Sequence, residues 1–197
     1  RICGGQSYRS CDVRVEGDFS QAAFFCTANA INSDVELCNL NPESVQGDKQ
    51  IYEIIREACP DGKIKGFRAD CSDIPDLVPI LSVLAAYGSE ESVIYNAERL
   101  RIKESDRIES TAAMLNALGG NAEVTNDGLI IRPTNGLKGG TVSGYGDHRI
   151  VMAASIAALG CSKNVIIEGA EAVEKSYPDF FKDYNMLGGK ANVINME

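Results

Sequence analysis

One histidine, His148, serves the whole 197-residue chain, and none of its seven cysteines stands in a Cys-x-x-Cys pair. A zinc site needs several such ligands at short spacing, so no metal is expected. The cysteines are odd in number and scattered from Cys3 to Cys161, which speaks against a disulfide framework. Free thiols suit a reducing compartment, and a cytoplasmic location is expected. Basic residues are scarce too: 19 Lys and Arg face 28 Asp and Glu, a net charge of −9. Broad binding to nucleic acid or to an anionic membrane needs a basic face, so neither partner is expected. No apolar run reaches the length of a membrane span, and no signal peptide is read in the opening residues. Gly4-Gly5 and Gly139-Gly140 lack the spacing of a phosphate loop and read as turns. An initiating Met is missing as well: "RICGGQSY" reads as mid-protein sequence, and a piece of a longer chain is expected.

What is present is an ordinary globular composition, 44 % hydrophobic and 24 % charged, arranged as one pattern three times over. "VRVEGDFSQAAFFCTANAIN" predicts a strand and an apolar helix, "VELCNL" a strand, "QGDKQIYEIIREAC" an amphipathic helix and "KIKGFRAD" a strand. The order returns in "DIPDLVPILSVLAAYG", "SVIYNAE", "KESDRIESTAAMLNALGG" and "AEVTNDGLIIRP", the last a hairpin turning at Asn126-Asp127-Gly128. It returns again in "TVSGYGDHRIVMAASIAALG", "NVIIEGA", "KSYPDFFKDYNMLGG" and "KANVIN". First-helix landmarks run from Asp18 to Asp76 in 58 residues and from Asp76 to Asp147 in 71. Second-helix landmarks keep step, with 58 residues from Asp48 to Asp106 and 73 from Asp106 to Asp179. The longer second interval is assigned to the turn-rich loop "TNGLKGG". Helices apolar on every side belong in the core, and helices charged on one face belong outside. One α/β domain with pseudo-threefold symmetry is expected: three buried parallel helices, sheets around them and three outer helices.

The segment "RLRIKESDRIES" places Lys103 and Arg107 four apart at a helix start, where like charges repel and the helix dipole favours anions. Arg149 in "GDHR" and Lys175 in "EKSYPD" sit at equivalent places. Parallel helices bring their N-termini to one end, so these four cations, unpaired N–H groups and dipole ends should gather into a local anion site. Arginine suits bidentate carboxylate or phosphate contact, and lysine acts as a point charge. Asp18 and Asp147 read first as N-caps. Asp76 follows Pro75, which suits the first helical position and leaves the carboxylate free to face the anion end. Glu104, between two cations, feels opposed influences and is a candidate proton carrier. Tyr177, Phe180 and Phe181 read as packing.

Six motifs together, "GGQSYRSCDVRVEGDFSQAAFF", "SVQGD", "IPDLVPILSVLAA", "LRIKESDRI", "GDHRIVMAAS" and "KSYPDFF", resemble the C-terminal half of the EPSP synthase (3-phosphoshikimate 1-carboxyvinyltransferase) family, in order and over nearly the whole chain. The resemblance implies two similar domains, each of three βαβαββ-type units. It implies transfer of the enolpyruvyl group of phosphoenolpyruvate to the 5-hydroxyl of shikimate 3-phosphate, with no cofactor. It admits glyphosate as a further ligand. Residue by residue, Arg107, Arg149 and Lys175 match positions that hold phosphoenolpyruvate, Lys103 a lysine near both substrates and His148 a histidine beside the phosphate. Asp76 matches the acid at the 5-hydroxyl, and Glu104 the acid that serves the methylene carbon. Arg99 stands where some relatives carry an Asn, and "DHRIVMA" replaces "DHRMAMA". The family's Lys-Ser…Arg motif, Gly-Asn-Ala-Gly-Thr loop and Ser-Ser-Gln phosphate site are absent from these residues. Residues 1-12 are therefore expected to be an interdomain hinge. Residues 13-197 are expected to be one domain, with repeats at about 13-70, 71-133 and 134-197, and the N-terminal segment and second domain to lie outside this sequence. Alone, such a piece should fold, bind anions weakly and not turn over. The rival readings are half of the sister transferase acting on UDP-N-acetylglucosamine, and a non-catalytic anion-binding module.

Overall fold

The computed structural model describes residues 2–194. The first unit opens on α1 (Phe19–Ile31), capped by Asp18, whose carboxylate accepts from the N–H groups of Ser20 and Gln21. Ala22 to Ala28 are all buried. A 3-10 turn, Gly47–Gln50, leads into α2 (Ile51–Ala58), which fully buries only Ile51 and Ala58. Strand β1 (Arg68–Asp70), expected to close the first unit, instead opens the second, which goes on with the 3-10 turn Pro75–Leu77, α3 (Val78–Ala86) and β2 (Ser92–Tyr95), the strand that β1 pairs with. It continues with α4 (Arg107–Ala117), β3 (Ala122–Val124) and β4 (Leu129–Ile131). The third unit holds β5 (Gly140–Ser143), α5 (His148–Ala157), β6 (Val165–Glu168) and α6 (Phe180–Met186).

Helices α1, α3 and α5 pack against one another in all three pairings. Every residue of α3 and of α5 is buried, as helices apolar on all faces require. The outer helices expose a charged face, and α6 is anchored by Phe180, which meets Phe25 of α1 together with Tyr177, Phe181 and Tyr184. The three aromatics at the start of α6 are thus packing residues. No helix is long and apolar enough to cross a membrane among the described residues.

In the second unit, β1 runs parallel to β2, β2 is antiparallel to β4, and β4 to β3. The expected hairpin turns at Asn126-Asp127-Gly128, with Thr125 N–H donating to the Gly128 carbonyl at 2.9 Å. A Cβ on Gly128 would stand 2.0 Å from the Ile94 carbonyl oxygen, so the close approach of turn and strand requires glycine. In the third unit β5 and β6 pair in parallel.

The first unit departs from expectation. The segments at 13–16 and 35–40 come together through Gly17 N–H donating to Asn39 O at 3.0 Å, yet form no ladder. The first unit is also shorter. Between α4 and β5 the chain spends residues 118–139, which contain the β3–β4 hairpin; between α2 and β1 it spends only 59–67. The long second interval is therefore this hairpin rather than the "TNGLKGG" loop, and the first unit has no counterpart to it. Val13 and Val15 stay exposed and the pair remains open, whereas β5 and β6 form their ladder without a hairpin beside them. Residues 191–194 of the expected last strand are not extended into a sheet, and 195–197 lie outside the described residues. One helix start also shifts. Lys103 lies in the turn before α4, not at the helix start itself.

Replacing Gly128 by Ala should lower the denaturation free energy by more than about 1 kcal/mol, because backbone must move to admit the Cβ. Gly4→Ala, with nothing within 4 Å, should leave it unchanged in the same urea titration.

Candidate functional site

Three local features bring the site together. Asp147 caps α5, accepting from the Arg149 N–H at 3.0 Å. Pro75 occupies the first position of the turn that feeds α3 and so sets Asp76 at that helix's entrance. Asp106 caps α4 through the N–H groups of Ile108 and Glu109, each at 3.2 Å, which turns Arg107 inward. Arg107 is 1 % exposed, a buried guanidinium at the centre of the cluster.

Each of its three nitrogens donates. Nε donates to Asp147 Oδ2 at 2.7 Å and Nη2 to Asp147 Oδ1 at 3.2 Å. Nη1 donates to Asp76 Oδ1 at 2.8 Å, and Nη2 also to Glu104 Oε2 at 2.6 Å. Asp76 receives Arg149 Nη2 at 3.1 Å on its other oxygen, and Lys103 Nζ stands 3.5 Å from Oδ1. Lys175 Nζ donates to Glu104 Oε1 at 2.9 Å. His148 begins α5, buried, with Nδ1 unpartnered and 3.9 Å from Asp147 Oδ1. Six of the seven residues singled out in the sequence thus stand in one network, and His148 lies beside it. An apolar hollow lined by Phe25, Ala28, Ile156 and Leu187 carries no charged group, and the chemistry is not there.

Four cations, Lys103, Arg107, Arg149 and Lys175, pair directly with three carboxylates, Asp76, Glu104 and Asp147. Lys175, at 56 % exposed, and Lys103, at 37 %, remain open to solvent, whereas Arg107 is committed to its carboxylates. Burial raises the pKa of Asp76, but Arg149, Arg107 and Lys103 outweigh it and hold the carboxyl below its ordinary range. Glu104 shows the same contest: burial raises it, while the Lys175 hydrogen bond, its own backbone and Arg107 bring it down to about 2. In this state Glu104 is ionised at neutral pH, set to accept a proton. Burial, then repulsion from Arg149, lowers His148, so its imidazole is neutral near pH 7.

Sequence reasoning missed three participants. Asp147 is more than a cap, because it is fully buried and clamps Arg107. Ser105 Oγ donates to Asp147 Oδ2 at 3.1 Å. Asp48, buried near the start of α1, takes the Ser20 hydroxyl and feels Arg149. A Gly-Asp pair before a helix signals a cap for Asp147, and nothing local reveals a partner 40 residues back.

Glu104 and Asp76 have depressed folded-state pKa values, so the stability they contribute is present above the unfolded pKa and lost as pH falls through the folded one. Thermal stability should start to fall below the ordinary Glu value of 4.5 and continue to about 2, and Glu104→Gln should flatten that fall in a melting series across pH. Arg107→Met should cost about 3–5 kcal/mol at pH 7, since it strands buried Asp147 without a counter-charge.

A family model described as EPSP synthase (3-phosphoshikimate 1-carboxyvinyltransferase) matches residues 1–184. A 3-phosphoshikimate 1-carboxyvinyltransferase of Clostridium novyi is 44 % identical over 200 residues, covering 95 % of this chain and 46 % of that protein. One from Clostridioides difficile is 43 % identical over 208 residues, covering 99 % and 48 %. That span exceeds the 197 residues here, so this relative carries residues in the matched stretch that the chain lacks, in keeping with its short first unit. A solved EPSP synthase from Acinetobacter baumannii superposes with a TM-score of 0.82 at 29 % identity, over 94 % of this chain and 49 % of that one. The enolpyruvyl transferase NikO from Streptomyces tendae shares the fold at a TM-score of 0.67 and 16 % identity, over 91 % of this chain and 45 % of that one. The chain spans about half the length of the curated relatives it matches. On its matched residues and its three-unit fold together, the chain belongs to the EPSP synthase family.

Proposed function

We propose that this chain supplies one half of an enolpyruvyl-transfer site, in which phosphoenolpyruvate gives its enolpyruvyl group to the 5-hydroxyl of shikimate 3-phosphate. The observation that carries the reading is the convergence of Lys103, Arg149 and Lys175 on the carboxylates of Asp76 and Glu104. Lys175 and Arg149 take the carboxylate and phosphate of phosphoenolpyruvate, with Arg107 behind them and His148 beside the phosphate. Lys103, next to Asp76, lies near both substrates. Asp76 removes the proton of the 5-hydroxyl, whose oxygen bonds to the central carbon of the enolpyruvyl group, while Glu104, protonated from solvent once the ligand has engaged Lys175, delivers that proton to the methylene carbon. The resulting tetrahedral intermediate loses phosphate, and Glu104 takes the proton back. Cations fixed before reaction stabilise the charge that develops at that centre without reorganising.

The network fits this chemistry because each carboxylate is held ionised by the cations that a ligand would engage. When phosphoenolpyruvate draws Lys175 and Arg149 to itself, Glu104 and Asp76 lose stabilisation of their charged forms and become better proton carriers. The remaining contacts to shikimate 3-phosphate come from the part of the longer relatives that this chain does not span. We place residues 1-12 as the hinge to that part, residues 13-197 as the domain, and the protein in the cytoplasm.

Phosphoenolpyruvate titrated into the chain should bind weakly by calorimetry, and Lys175→Ala should weaken binding by about tenfold, as the loss of a charge-assisted contact does. Mixed with both substrates, the chain alone should release no phosphate; measurable turnover would overturn the half-site reading.

A further inference from the structure

The loop that carries Lys103 and Glu104 is closed by one side chain and mounted on the tip of the β3–β4 hairpin. Ahead of the loop, Ala97 N–H donates to the Asp127 carbonyl at 2.6 Å and Asn96 N–H to Asp127 Oδ2 at 2.9 Å. Leu100, fully buried, then seats the 3-10 turn Glu98–Ile102 in the core. Arg101 follows, one-third exposed. Its Nη2 donates to the Thr125 carbonyl at 2.9 Å and to the Asn126 carbonyl at 3.4 Å. Its Nη1 donates to Asp106 Oδ2 at 3.0 Å and stands 3.6 Å from Glu109 Oε1. Asp106 gives its other oxygen to the N–H groups that start α4. One guanidinium thus joins the hairpin tip, the start of the loop and the cap of the helix where the loop ends.

We propose that Arg101 is a positioning residue, which closes residues 102–105 into a short loop and so holds Lys103 beside Asp76 and Glu104 against Arg107 and Lys175. This rests on the reading of those side chains as half of the transfer site. The ion pair from Arg101 to Asp106 leaves only 102–105 free between its ends, with Lys103 and Glu104 in the middle, and a short closed loop limits how far either head can wander. Ser105, the last residue of that stretch, is itself tied to Asp147. A half-exposed ion pair alone would hold the loop weakly. The planar arginine fork adds two carbonyls of the hairpin turn on one side while it keeps the carboxylate on the other, which a lysine point charge cannot match. The hairpin also acquires a task. Among the described residues it occurs in the second unit alone, the unit that supplies Asp76, Lys103 and Glu104.

Two substitutions separate positioning from mere support. Arg101→Met keeps the stem and removes the fork, and Arg101→Lys keeps the charge. The Glu104 carboxyl lies at about 2 because Lys175, its own backbone and Arg107 outweigh its burial. In Arg101→Met it should titrate upward, toward the ordinary 4.5, in a carboxyl 13C NMR series. Inorganic phosphate should bind about tenfold more weakly to that variant. Arg101→Lys should move Glu104 in the same direction by less. Arg132→Met breaks ion pairs to Glu91 and Glu123 at the open end of the same hairpin and should leave Glu104 where it is. A Glu104 titration unmoved by Arg101→Met overturns the proposal, and an equal movement in Arg132→Met does so too, since it marks a general loosening of the sheet. Should Arg101→Met fail to fold, Arg101→Lys decides, and an unmoved Glu104 there overturns the proposal. If Glu104 moves but the unaltered chain takes up neither phosphate nor phosphoenolpyruvate, the positioning role stands and it is the ligand reading of the site that fails.

Discussion

The buried pair of Arg107 and Asp147 holds the second and third units in register. Each residue begins its own helix or caps it, and each is almost wholly removed from water. Neither could be buried alone, since an unpaired ion in the interior is far more costly than a pair. The pair therefore fixes α4 against α5 at their N-terminal ends. Asp76 and Glu104 then take the donors of Arg107 that Asp147 leaves, and Lys103, Arg149 and Lys175 gather on those two carboxylates. Remove the central guanidinium, and buried Asp147 loses its only close cation, while Asp76 and Glu104 keep the three outer ones.

That arrangement answers why cations cluster at helix starts in an acidic chain. Against the dipole and against one another they would be unfavourable. The carboxylates among them offset that cost while no ligand is bound. On the proposed function, a ligand with a phosphate and a carboxylate would replace these internal counter-charges instead of meeting bare cations, which would lower its affinity and release the acids. The exposed lysines are the ones that can move at small cost, whereas Arg107 cannot leave its place without unfolding the cluster.

Much of this was legible in the sequence. The all-apolar stretches of α1, α3 and α5 and the in-step spacing of Asp18, Asp76 and Asp147 predict three buried helices with a common end, and convergence of the charged residues follows from that geometry alone. The open pair of the first unit was not legible, because "VRVEGD" and "VELCNL" have good strand patterns and nothing local in them marks a missing ladder. Spacing did register the deficit, as a 58-residue interval beside one of 71, but length does not say whether a loop or a hairpin fills the difference. Nor could local pattern place Lys103, since the cap at Asp106 sets where α4 begins and leaves Lys103 in the preceding turn.

The three aspartates at the inner helices show how a repeated scaffold comes to hold an asymmetric site. Asp18 accepts from two N–H groups of α1 and does no more than cap. Asp76 cannot cap in the same way, because Pro75 takes the first position of its turn, and its carboxylate is released to three cations. Asp147 caps α5 with one oxygen while both oxygens receive Arg107. One residue type at one repeated position thus serves as a cap, as a mobile counter-charge and as a buried anchor. A proline in the second unit and an arginine reaching in from α4 toward the third are enough to set the three apart. The backbone symmetry brings the charges together, and departures from symmetry at single residues decide which of them is free to react.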